Sequence, residues 1–128
     1  MTTFTSHHTA QLTALNELLK LGQLPEVSTP NDALDRQIFQ PALAAAKSED
    51  DIILMLFTLE DALSEFYVYA SPLAVKIEHR AAFVAIAGTQ ARHRVVLGSV
   101  FAKQHIDDLF PGPFAKSSNP LPPDAILS

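Results

Sequence analysis

Glu60, Gln90 and His93 carry the chemistry that stands out in this chain, because each is a polar side chain set into a helical stripe that is otherwise apolar. Leu56, Phe57, Leu63 and Tyr67 surround Glu60 at helical spacing, so a carboxylate there must be paired, metal-bound or protonated. Gln90 and His93 lie one turn apart within GTQARHRVVL, residues 88–97, and interrupt a face made by Phe83, Ile86, Leu97 and Val100. Three side chains of these types can be a ligand set, the remnant of one, or a hydrogen-bonded cluster of carboxylate, imidazole and amide. The cluster is the plainer expectation, since buried polar groups normally find protein partners.

Two helices have to position them. The first is announced by KSEDD, where Ser48 and Asp51 have the spacing of a capping box and Glu49, Asp50 and Asp51 place negative charge at the helix start. From Ile52 to Leu59 it is apolar almost all round and continues to Ala70, so it is expected to be the most buried element. Ser71-Pro72 breaks the run, and the last long helix follows. Folding the two helices as a hairpin about residue 75 puts Glu60 and Gln90 equally far from the turn, and at about 1.5 Å per residue they share one level of a bundle. His93 falls one turn further on, and Tyr67 lies on the face of Glu60 about 10 Å nearer the turn.

Upstream, Ser6 can cap a helix over roughly 7–21, whose Leu12, Leu15, Leu18 and Leu19 form one stripe and whose stop is given by Gly22 and Pro25. A short second helix can begin at Asn31 or Asp32, but Pro41 must kink or restart it. Downstream, five of the nine prolines fall between Pro111 and Pro123, which predicts an extended tail. The division is a helical domain over 1–110 and a proline-rich extended tail over 111–128. Strand alternation and tight-turn dipeptides are missing, so the fold class is all-α, a bundle of about four helices with the second short or kinked.

Composition removes several function classes. The 128 residues suit one domain, and 48% hydrophobic against 18% charged residues is a core-forming balance. A net charge of −5 with no basic run argues against nucleic acid and anionic membrane as partners. There is no cysteine, hence no disulfide, thiolate site or thiol nucleophile. MTTFTSHHTA lacks the features of a secretory signal, and IILMLF at 52–57 is far shorter than the ~20 apolar residues of a membrane span. A cytoplasmic location is the expectation.

The stretch LEDALSEFYVYASPLAVKIEHRAAFVAIAGTQARHRVVL, residues 59–97, resembles the C-terminal helix pair of the ferritin-like superfamily, in the form found in the desiccation-related proteins. Those read LEDxxxxAYxxAxP and then IxxxEARHxxxL, and Glu60, Tyr67, Pro72, Ile86, Arg92 and His93 match without a gap. The resemblance extends less specifically over 52–123. It implies a ferritin-like bundle in which helices jointly hold two iron or manganese ions, with Tyr67 near the metal. Two departures bear on that. The bridging Glu of the pattern is Gln90 here, a neutral and poorer ligand. Residues 1–50 contain no second Glu-x-x-His, since His7 and His8 are preceded three residues earlier by Phe4 and Thr5.

Glu60, Gln90 and His93 are therefore expected to form a vestigial site or half of one, with no cofactor retained. The corresponding function is a ferritin-like, non-catalytic binding or assembly subunit in a stress-related role. The alternative is an iron or manganese carboxylate oxidoreductase, or an iron-handling protein, completed by homodimerisation. Either way a homodimer or membership of a larger complex is expected, because one chain has little with which to cover its apolar helix. Other polar residues are given structural roles. Tyr67 is expected in the core with its hydroxyl at the edge. His7 and His8 are expected at an exposed helix start, and Glu78 and His79 in solvent near the turn, about 16 Å from Gln90. Glu65, Arg80, Arg92 and Arg94 are surface or interhelical charge, and Gly88 marks a close helix crossing.

Overall fold

The computed structural model describes residues 2–101, and the proline-rich segment 111–128 and the boundary at 110 lie outside them. The described residues are helical with no strand among them. The first helix, α1 (Thr2–Leu21), begins well before position 7. Ser6 is thus an interior residue rather than a cap, its hydroxyl donating to the Thr3 carbonyl at 2.8 Å. Thr9 and Thr13 bond back to Thr5 and Thr9 in the same way. The additional turn is held by packing, since Phe4 stacks on the ring of His93 with centroids 4.0 Å apart.

The helix ends close to the expected stop. Leu24 N–H donates to the Leu19 carbonyl and Gln23 N–H to that of Lys20, the paired bonds of a Schellman end. The left-handed residue is Gln23, with φ 58°, one position beyond Gly22. The connector then folds back along α1, where the Asn16 amide donates to the Val27 carbonyl and accepts from its N–H, both at 2.9 Å.

Asn31 caps the next helical run by accepting from Leu34 N–H at 2.9 Å. The run comprises α2 (Asp32–Leu34), a π-helical segment Asp35–Phe39, and α3 (Gln40–Ala45). Pro41 does not end the helical run. The wider π turn ahead of it removes the need for the bond that proline cannot donate, and α3 restarts with proline in its first turn.

The KSEDD start of α4 (Glu49–Ala70) is a capping box: Asp51 N–H donates to Ser48 Oγ at 3.2 Å, and Asp51 Oδ2 accepts from Ser48 N–H at 3.0 Å. A 3-10 turn, Ser71–Leu73, leads to α5 (Ile77–Val96), which runs on as a π-helical segment Leu97–Phe101. The two long helices form the expected hairpin, with Ser64 Oγ donating to the Ala87 carbonyl at 3.2 Å. Arg94 pairs with Asp61 at 2.8 Å and lies over the Phe57 ring, 5.1 Å from its centroid, so Arg94 is interhelical charge. α1 packs against α5, and α3 touches α4.

Two further expectations need correction. α4 is not the most buried element: only Ile53, Glu60 and Ala62 are buried on it, against Ile86, Ala87, Gln90 and His93 on α5. One face of α4 meets α5, while Ile52, Leu54, Val68 and Tyr69 are exposed. Gly88 does not mark a close crossing, because a Cβ built there would meet nothing nearer than Arg92 Nη1 at 3.9 Å. No helix among the described residues is long and apolar enough to cross a membrane.

Candidate metal centre

Three helices converge where α1 crosses the hairpin. α4 supplies Glu60, α5 supplies Gln90 and His93, and α1 supplies Phe4, His7, His8 and Gln11. Glu60, Gln90 and His93 are buried at 4%, 2% and 3% exposure. Glu60 Oε1 lies 3.1 Å from His93 Nδ1 and 3.0 Å from His8 Nε2. His93 Nε2 lies 2.8 Å from His7 Nδ1. Gln90 donates through Nε2 to Gln11 Oε1 at 3.2 Å. Gln90 thus spends an amide hydrogen on α1.

One set of protons satisfies these contacts. His7 Nδ1–H donates to His93 Nε2, His93 Nδ1–H donates to Glu60 Oε1, and His8 Nε2–H donates to the same oxygen. The electrostatics fit this assignment. Burial pushes His93 below its ordinary imidazole range against the pull of Glu60, favouring the neutral ring. The hydrogen bond that His8 donates to Glu60 raises His8 despite partial burial, favouring the imidazolium on the ring that is more accessible to water. The buried carboxylate is then balanced by the proton on His8.

The balance is incomplete. Among the described residues, Glu60 Oε2 and Gln90 Oε1 are buried without a hydrogen-bond partner, a costly condition for two acceptors. Ligand atoms of His8, Glu60 and His93 lie within 4.8 Å of one another. Bonds of about 2.0 Å to a tetrahedral ion would place ligand atoms about 3.3 Å apart, so the separations of 3.0 and 3.1 Å from Glu60 Oε1 need only small adjustments. Two imidazoles and a carboxylate are ordinary donors for a divalent transition metal, and such an ion would engage the carboxylate that is now half-satisfied.

Of the expected trio, Glu60 and His93 meet at 3.1 Å, whereas Gln90 bonds Gln11 on α1, and the expectation for His7 and His8 is corrected. His7 is exposed but bonded to His93, and His8 is part-buried within the cluster. The missed signal was the spacing of Phe4, His7, His8 and Gln11, which is the i, i+3, i+4, i+7 pattern of one helix face. Tyr67 is packed between Phe66 and Phe83, with ring centroids 5.3 and 5.6 Å away, and burial raises its phenol above the usual range. Glu78 is exposed as expected, whereas His79 is part-buried. Arg92 bonds Thr89 on its own helix at 3.0 Å, and Arg80 bonds the Ala74 carbonyl.

No family model matches the chain, and no curated protein or solved structure matches it.

Proposed function

We propose that this chain is a metal-binding helical protein of the ferritin-like type, working as a non-catalytic binding or assembly subunit. The observation that carries the metal assignment is the convergence of His8, Glu60 and His93 from three helices, with ligand atoms within 4.8 Å. The unpartnered Glu60 Oε2 supports it, because a cation satisfies a buried carboxylate oxygen more completely than the two rings do. The ferritin-like assignment rests on the resemblance over 59–97, and on a hairpin in which the carboxylate of one helix meets the histidine of the next. Iron and manganese are the ions that resemblance brings with it. Metal content per chain, measured on protein purified without chelator, tests the site. Retention of metal that is lost in Glu60→Gln is expected; metal-free protein that gains no thermal stability from any added divalent ion would overturn the assignment.

The assembly role is favoured by a separate observation. Val68, Tyr69, Leu73, Val75 and Ile77 are all exposed around the turn of the hairpin, and exposed apolar groups close together commonly mark an interface. A homodimer or a place in a larger complex follows, and a second copy would also bring a second set of ligands, as the oxidoreductase or iron-handling alternative requires. Light scattering should give a mass above that of one chain, falling on Tyr69→Ser combined with Val75→Ser. A monomer unaffected by that pair of changes would argue against assembly through this end.

A further inference from the structure

The donor count at the candidate metal centre differs from what a pair of iron or manganese ions needs. Two ions about 3.5–4 Å apart are held by several carboxylates, which bridge them and offset their charge. Among the described residues Glu60 is the carboxylate grouped with histidines, while the neighbouring Gln90 is neutral and committed through its nitrogen to Gln11. One divalent ion with Glu60 and two neutral imidazoles leaves a net charge of +1. A second ion would leave +3 beside Glu60 and His93, which are almost wholly shielded from water. Charge therefore limits the site to one ion.

Nitrogen donors outnumber oxygen donors, since His8 and His93 each present a ring nitrogen and Glu60 alone presents carboxylate oxygen. That mixture suits the later divalent ions of the first transition row better than manganese. His7 adds a feature that a bare trio would lack. A histidine that ligates through Nδ1 carries hydrogen on Nε2, and that hydrogen needs an acceptor which fixes the ring. His7 Nδ1 stands 2.8 Å from His93 Nε2 and would accept that hydrogen in the metal-bound form, the reverse of its donor role without metal, and Phe4 stacks against the same ring at an interplanar angle of 12°. The imidazole of His93 is thereby held edge and face.

We infer that His8, Glu60 and His93 hold a single nitrogen-preferring divalent ion of the zinc or cobalt kind, with His7 as the positioning residue behind His93. The inference rests on the metal assignment above and goes beyond it in number, kind of ion and the part given to His7.

The test uses the full chain, stripped of metal and titrated separately with Zn2+, Co2+, Mn2+ and anaerobic Fe2+. Native mass spectrometry gives the stoichiometry, calorimetry the affinity, and circular dichroism confirms that each variant is folded. One Zn2+ or Co2+ per chain is expected, bound more tightly than Mn2+ or Fe2+ and lost in His8→Ala and Glu60→Gln, with visible absorption of bound Co2+ marking a site of few ligands. His7→Ala should keep the stoichiometry and weaken binding about 10- to 100-fold, with His7→Gln, whose amide oxygen can accept the same hydrogen, restoring much of the loss. Two ions per chain, or a preference for Mn2+ or Fe2+, would overturn the inference and leave the metal assignment standing. Zinc bound equally well by folded His8→Ala and Glu60→Gln would overturn it in favour of surface binding. Unchanged affinity in His7→Ala would overturn the part given to His7, and failure to bind any of the four ions would overturn the inference and the metal assignment together.

Discussion

The two ends of the α4–α5 hairpin invert each other: around Glu60 and His93 polar side chains are among the most deeply buried, whereas around Tyr69 and Val75 large apolar side chains face water. The difference is one of coverage. At the first end α1 adds a third helix and closes over polar groups that then have to satisfy one another. At the turn two helices meet with nothing among the described residues laid across them, so Val75 is 91% exposed while Ile86, further along the same helix pair, is 5% exposed. Burial in this fold follows the number of helices that meet at a level rather than the hydrophobicity of the residues placed there.

Truncation at the two levels gives the widest contrast. Ile86→Ala should cost about 2–5 kcal/mol, as large-to-small changes in packed sites do, and Val75→Ala should stay within about 0.5 kcal/mol in the separated chain. Equal losses in urea unfolding would mean that the turn is covered after all. The polar end is sharpened by metal. A divalent ion at about 100 times its dissociation constant should add about 2.7 kcal/mol, read as a rise in unfolding temperature that is absent in Glu60→Gln. Between the ends, Gly88→Ala should stabilise by up to about 1 kcal/mol, because helix propensity improves and the new methyl meets only Arg92; destabilisation would show a tighter crossing than the one described.

The smallest effect is a matter of pH in the metal-free protein. By NMR, His8 should titrate above the ordinary imidazole value of 6.5 and His93 below it. His8 holds its proton more tightly when folded, so its contribution to stability is complete below pH 6.5 and is lost as pH rises through the raised value. His93 has the opposite sign, costing stability as pH falls below 6.5 toward its lowered value. In Glu60→Gln the His8 value should fall back, and an unmoved His8 would separate the two residues electrostatically.

Much of the hairpin was legible because local signals agreed: the Ser48–Asp51 box fixed the start of α4, Ser71-Pro72 fixed the turn, and counting outward from residue 75 brought Glu60 level with the Gln90–His93 turn. The contribution of α1 was less legible, for a physical reason. Ser6 has the side chain of a cap, which set His7 and His8 at a fraying end, yet tertiary packing of Phe4 on His93 extends the helix to Thr2 and brings both histidines into contact with the α4–α5 residues. Propensity yields to packing there. The π turn before Pro41 was visible only as a break of unspecified kind, and Gly88 looked like a packing residue because sequence shows the missing side chain without showing the space around it.

The chain has no cysteine, yet a metal ion held by His8, Glu60 and His93 would do topologically what cross-links do. His8 and Glu60 are 52 positions apart, and Glu60 and His93 are 33 apart. An ion bound to all three would close two consecutive loops that take in most of the described chain, and closing long loops restricts an unfolded polypeptide more than closing short ones because the entropy lost rises with loop length. Unlike a disulfide, such a fastening answers to acid, chelators and metal supply rather than to redox conditions.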